Sequence, residues 1–177
     1  MSEFREFGKI ARLNRECIAT EKIDGTNGLV WVDEDGTVRA GSRSRWITPQ
    51  DDNFGFAVWV AEHAEDLRGL GPGYHYGEWW GRGIQRGYGL DHKRFSLFNV
   101  SRWGESRPAC CRVVPVLACG LDIRAVADDA LAHLRDHGSA AAPGFAKPEG
   151  VVIFHTAGNH LYKVTLEKDE EWKGKGK

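Results

Sequence analysis

The sequence predicts an α+β fold built on largely antiparallel sheets, and three observations point there. Short β-prone runs recur along the chain, only two stretches show a helical repeat of apolar residues, and the two kinds do not alternate as a βαβ sheet requires. The chain has 177 residues, 41% of them hydrophobic and 28% charged, with a formal net charge of −1. Such a length suits one domain burying roughly 70% of its unfolded surface and argues against a second full-sized domain.

In chain order, CIATEKI and GLVWV read as strands, and the turn Asp33-Glu34-Asp35-Gly36 before TVRAG marks a hairpin through its Asp-Gly step. After Pro49, Asp51 or Asp52 can cap a helix in which Phe56, Trp59, Val60 and His63 fall at helical spacing, ending before GLGPG. YHYGEWW, FSLFNV, RVVPVL, GVVIFH and HLYKVT read as further strands. Asp122 caps a second helix with Ile123, Val126, Ala127, Ala130, Leu131 and Leu134 on one face and Gly138 as its stop. GSAAAPGFAKP is a loop, and the final residues, KDEEWKGKGK, have the polarity of a frayed tail. Trp79 and Trp80 read as core before they read as base-stacking residues.

No run reaches the roughly 20 apolar residues of a bilayer span, and MSEFREFGKIARLNREC lacks the apolar stretch of a signal peptide, so a cytoplasmic location without membrane contact is expected. The four cysteines, Cys17, Cys110, Cys111 and Cys119, form neither a CxxC pair nor a zinc-site spacing and read as thiols without assigned chemistry. Near-neutral charge excludes a global attraction to phosphate, which leaves any nucleic-acid affinity to a local basic face.

The most unusual local feature is Glu21-Lys22-Ile23-Asp24-Gly25-Thr26-Asn27-Gly28, where charges end a strand and enter a turn able to offer backbone N–H groups. A lone KxDG would also suit a strand-end salt bridge. Here it is followed by GSRSR (41–45), YGEWWGRGIQRGYG (76–89), RFSLFNV (94–100), KPEGVVI (147–153) and LYKVTLEKDEEWKG (161–174), each at a strand or strand end. Together, in this order, these segments resemble the covalent nucleotidyltransferases, namely DNA ligases, RNA ligases and mRNA-capping enzymes, and most closely the phage-type RNA ligase 2-like family. The resemblance runs from Glu21 to about Lys168.

It implies a nucleotidyltransferase domain of the ATP-grasp-like ligase adenylation type over 1–168, followed by a polar tail at 169–177. It also implies that Lys22 attacks the α-phosphate of ATP and becomes a lysyl-adenylate. The amine must then be partly deprotonated, and Lys163 and a bound Mg²⁺ or Mn²⁺ are the implied cations, with Glu149 organising the metal. The nucleotide-binding set implied is Glu21 through its backbone, Lys22, Asp24, Gly25, Asn27, Arg43, Glu78 on the ribose hydroxyls, Phe98 stacked on the purine, Glu149 and Lys163. Arg82, Gln85 and Arg86 are candidates for nucleic-acid phosphate or for ordering their loop.

Three positions depart from the family pattern. Asn99 stands where an aspartate commonly follows the stacking aromatic, Phe154 where a lysine often follows EGVVI, and Thr165 where a second lysine often follows Lys163, with Lys168 and Lys173 as distant substitutes. The additional C-terminal OB or helical domain of many relatives is not expected within this length, so a separate protein could supply it. The expected function is that of an ATP-dependent RNA ligase joining 5′-phosphate to 3′-hydroxyl ends, on RNA before DNA, in the host cytoplasm if phage-encoded. The alternatives are a non-catalytic module that binds nucleotides or nucleic-acid ends, and a GTP-using capping-type enzyme.

Overall fold

A computed structural model of the chain describes residues 3–167. Lys168, Lys173 and the tail expected at 169–177 lie outside the described residues. Two sheets carry the structure. The smaller has the order β10-β9-β1-β8, with β1 at Cys17–Lys22, β8 at Val116–Gly120, β9 at Gly150–His155 and β10 at His160–Thr165. The larger has the order β4-β3-β2-β5-β6-β7, with β2 at Thr26–Val32, β3 at Val38–Gly41, β4 at Trp46–Ile47, β5 at Gly73–Gly81, β6 at Lys93–Leu97 and β7 at Cys111–Val113. All pairings are antiparallel except β6 with β7. This is the expected α+β architecture.

Alternation along β1 sends Cys17, Ala19 and Glu21 to one buried face. Helix α3 (Ile123–His137) covers it, its stripe of Val126, Ala130, Leu131 and Leu134 packing with Cys17, Ala19, Val151 and Ile153. The cap is as expected: the Asp122 carboxylate accepts from the N–H groups of Arg124 and Ala125, and Gly138 ends the helix at φ 74°.

The larger sheet buries its outer face under α1 (Phe56–Glu62), where Phe56 and Val60 join Val30, Trp79, Phe95 and Leu97. Asp52, not Asp51, serves this helix, accepting from the N–H groups of Ala57 and Val58 while Asp51 pairs with Arg45. The single helix expected up to GLGPG is broken at His63, whose backbone N–H and ring both engage the Trp59 carbonyl. A short α2 (Ala64–Leu67) and a 3₁₀ turn (Arg68–Leu70) follow.

RVVPVL is not one strand. Pro115 has no N–H for a ladder, so the run splits there: Cys111–Val113 joins the larger sheet and Val116–Gly120 the smaller. The Pro115 carbonyl accepts from the Glu21 N–H, tying the crossing to the end of β1. FSLFNV also stops early, because Asn99 turns the chain by accepting from the Arg102 N–H through its side chain and from the Trp103 N–H through its carbonyl.

Trp79 and Trp80 are both buried on opposite faces of β5, and all four cysteines are unbridged. Among the described residues no helix is long and apolar enough to cross a membrane.

Candidate active site

Alternation places Thr20 and Lys22 on the face of β1 opposite α3, toward the cleft between the sheets. Lys22 pairs with Gly150 of β9, and Gly150 with Thr165 of β10. The Lys22 ammonium meets Glu149, with Nζ 2.6 Å from Oε1 and both side chains largely shielded at 25% and 19% exposure. The other carboxylate oxygen of Glu149, Oε2, is buried with no hydrogen-bond partner. Glycine is required at position 150, where a Cβ would fall 2.2 Å from the Val164 carbonyl oxygen. That close approach seats Glu149 at the mouth of β9.

The turn after Lys22 is held from several sides. The Asp24 N–H donates to the Tyr88 hydroxyl at 2.8 Å, and its carboxylate accepts from Arg86 Nε at 3.0 Å. Gly25 N–H donates to Glu78 Oε1 at 3.1 Å and Asn27 Nδ2 to Glu78 Oε2 at 3.2 Å. A Cβ on Gly25 would lie 2.5 Å from the Trp79 carbonyl oxygen and 2.7 Å from Trp80 Cβ, so only glycine lets the turn approach Glu78 this closely. Burial pushes the Glu78 carboxyl up to about 7, and the Glu149 and Asp24 charges add to the rise. The Gly25 N–H and the charge of Lys22 oppose it.

Glu21 lies on the opposite face of β1, almost fully buried, accepting from the Ser139 hydroxyl at 2.6 Å and the Ala141 N–H at 2.8 Å. Burial raises its pKa against those hydrogen bonds. The carboxylate is thus spent on anchoring the 138–148 loop, and a ligand could meet only the backbone of Glu21. A cavity of about 320 Å³, within the range of ligand pockets, lies beside this anchor and is lined by Trp80, Arg94, Ser96, Arg112, Pro115 and Ala141.

The structure therefore brings Lys22, Asp24, Gly25, Asn27, Glu78 and Glu149 together around one turn. Phe98 stands just beyond β6 on the face of Glu78 and Ser96, its N–H donating to the Tyr76 carbonyl, and its ring is 41% exposed at the rim. Arg43 is exposed on the β3–β4 turn, two residues past the Gly41–Leu29 pair and on the Asn27 side. Lys163 shares the open face with Lys22 but pairs with Val152; the β10 residue level with Lys22 is Thr165, whose hydroxyl donates to the Glu167 carbonyl. The immediate partner of Lys22 is a carboxylate and not a second cation. Phe154 forms an apolar row with Ile18 and Leu161 on the same face.

Of the three loop candidates, Arg82 and Gln85 are exposed. Arg86 instead ties Asp24 to the Lys147 carbonyl, joining two motifs. Tyr88 and Ser139 are site-supporting residues that the sequence reading does not find. For Tyr88 a signal exists in its place within the GRGIQRGYG motif; Ser139 sits in a loop with no motif at all.

The residues fit a divalent cation in one respect. Among the described residues no trio of His, Cys, Asp or Glu could cage an ion, yet Glu149 offers an unpartnered oxygen beside Lys22. A cation seated there would draw its remaining oxygens from nucleotide phosphates and water, as Mg²⁺ and Mn²⁺ do.

Comparison with known proteins bears on the family and the fold. The family model for RNA ligase matches residues 15–165. A Naegleria gruberi RNA ligase structure with PPi superimposes at TM-score 0.64 and 21% identity, covering 86% of this chain and 50% of that one. Mutants of the same ligase, one with ATP and Mn and one with AMP and Mn, give TM-scores of 0.63 and 0.62 at 19% and 18% identity, each over 86% of this chain and 49% and 50% of theirs. The chain thus spans about half the length of the solved ligases it matches. No curated protein matches it by sequence.

Proposed function

This chain belongs to the RNA ligase family, and on that premise we propose that it is an ATP-dependent RNA ligase working through a lysyl-adenylate on Lys22. The observation that carries the reading is the 2.6 Å pair between Lys22 Nζ and Glu149 Oε1, set beside the Glu78 clamp on the KxDG turn. A nucleophilic lysine needs a lone pair, and Glu149 is the base within reach of its proton. With that proton passed through Glu149 to solvent, Nζ forms a bond to the α-phosphorus of ATP and the bond to the pyrophosphate oxygen breaks.

The AMP then passes to a 5′-phosphate, whose oxygen takes the phosphorus as Nζ leaves. A 3′-hydroxyl finally attacks that 5′-phosphate and expels AMP. Mg²⁺ or Mn²⁺ at Glu149 would neutralise charge developing on the α-phosphate. Glu78, with Gly25 and Asn27 already donating to it, keeps lone pairs for the ribose hydroxyls, and Phe98 offers a flat face to the purine. Asp24 positions the turn through Arg86, and Arg43 and Lys163 supply positive charge for the phosphates. Grip on an RNA end draws mainly on phosphate contacts, which a separate protein can add, whereas adenylation needs only the residues above.

The test is incubation with α-labelled ATP and Mg²⁺ or Mn²⁺, followed by denaturing electrophoresis and intact mass. A mass increase of one AMP, acid-labile and absent from Lys22→Ala, is expected. Labelling by GTP instead would assign the capping chemistry. Thr165 beside Lys22 is the observation that favours a non-catalytic nucleotide-binding module, and a folded protein that takes no label would establish it.

A further inference from the structure

The inner face of the larger sheet continues well beyond Glu78. Residues directly opposite in a sheet share a face, and alternate residues along a strand do too. The pairs Asn27–Glu78, Leu29–Tyr76 and Trp31–Tyr74 therefore line one face in succession, with Arg39 opposite Trp31 and Trp46 opposite Gly41. Near Glu78 this face meets the turn after Lys22, and beside it Trp80 packs with Ile23, Tyr88 and Ala142. Farther out it is bare: Tyr74 and Tyr76 are each 57% exposed and Trp46 is 40% exposed.

The bare part is a connected array of rings. Tyr74 and Tyr76 lie 6.4 Å apart at 13°, Trp31 stands 6.4 Å from Tyr74, and Trp46 is 5.9 Å from Trp31. The Arg39 guanidinium lies 4.4 Å from the Trp46 centroid and 5.8 Å from that of Trp31. It is exposed and forms no ion pair with a carboxylate among the described residues. Aromatic rings contiguous and exposed on a sheet are not explained by core packing.

We propose that Trp31, Arg39, Trp46, Tyr74 and Tyr76 form a platform on which unpaired bases of a single-stranded RNA end stack. The inference rests on the ligase reading for its choice of RNA. Exposed rings joined to an unpaired arginine match the way single strands are held, by base–aromatic stacking with cationic contacts to the backbone. Sheets in RNA-binding modules use aromatics in this manner for two or three bases. Continuity with the Glu78 and Phe98 face leads the strand toward Lys22. Tyr74 is four residues from Glu78 on one strand, about 13 Å at about 3.3 Å per residue. The acidic turn Asp33-Glu34-Asp35, just past Trp31, repels phosphate and closes the far end.

The experiment compares the full chain with Tyr74→Ala, Tyr76→Ala and the double variant. Binding of a fluorescent single-stranded oligouridylate is measured by anisotropy, and AMP labelling without RNA in parallel. Affinity should fall at least about 5-fold for one ring and about 25-fold or more for two. Tyr74→Phe should bind as the parent does, and AMP labelling should be unchanged in all variants. Equal affinity in parent and double variant, or no binding by the parent, overturns the platform while normal labelling leaves the ligase reading intact. Ring-dependent binding by a parent that takes no label supports the platform and removes the ligase reading. A change of oligomeric state in the double variant with RNA binding unaltered assigns the patch to self-association and overturns the proposal.

Discussion

Lys22 Nζ and Glu149 Oε1 stand 2.6 Å apart at the ends of adjacent strands, while Glu149 Oε2 is buried with no hydrogen-bond partner. One carboxylate thus holds the nucleophile with one oxygen and keeps the other available to a cation. Exchanging Glu149 for Gln removes both the base and the charge. The rate of lysyl-AMP formation should fall by about 10²-fold or more, with the melting temperature within about 5 °C of the parent. Lys22→Ala should abolish labelling altogether, and stopped-time labelling with a thermal melt checks both.

Glu78 leads to a pH prediction. Its folded-state pKa, about 7, is raised above the ordinary carboxylate value by burial. A raised carboxyl stabilises the fold fully below its unfolded value, near 4.5, and that contribution is lost as pH rises through about 7. Its size is on the order of 3 kcal/mol. Nucleotide binding should run the other way, because the ionised carboxylate is the better acceptor for ribose hydroxyls. ATP affinity should therefore rise from pH 6 to pH 8, and Glu78→Gln should flatten both profiles, measured by calorimetry and denaturant titration.

Phe98 sits at the rim with 41% of its surface exposed, so trimming it leaves the cores intact. If its ring carries the purine, Phe98→Ala weakens ATP binding by about 1–3 kcal/mol and leaves urea stability nearly unchanged. Equal ATP affinity in the variant would return the ring to a packing role.

Glu21 should behave in the opposite manner. Its removal leaves the Ser139 hydroxyl and the Ala141 N–H buried without their acceptor. Glu21→Ala should cost about 1–3 kcal/mol or more in urea denaturation. Ser139→Ala should cost a comparable amount, because it removes a donor to Glu21 and the acceptor of the buried Ala142 N–H.

Tyr88 supports the turn from outside it, its hydroxyl accepting from the Asp24 N–H. Tyr88→Phe keeps the ring in place against Trp80 and Phe145 but orphans that donor. The expected result is a several-fold drop in lysyl-AMP formation with a stability loss of about 1 kcal/mol, read from the same labelling and melting assays.

Much of the fold was legible in the residues because the signals are local. The Asp122 cap, the Gly138 stop, the alternation of CIATEK and the Asp-Gly hairpin each act within a few residues of where they are written. The order of the motif segments named a set of candidate site residues, and the structure gathers six of them at one turn. Less legible was which motif residue meets which. Arg86 reads as a phosphate contact or as a residue that orders its loop, and only the structure shows it bridging Asp24 and Lys147. Lys163 is, with a bound metal, one of two cations the resemblance implies near Lys22, and register sets Thr165 level with that lysine.

By itself, then, the sequence determined the element types, the strand faces and the chemical kinds of the site residues, since propensity, capping and period are properties of neighbours along the chain. Only the tertiary structure decided that Pro115 divides one apolar run between two sheets, that Glu149 meets Lys22, and that four aromatic rings, three of them exposed, form one array beyond Glu78. Those facts depend on register and on packing between segments far apart in the chain, where a shift of one residue exchanges the faces of a strand.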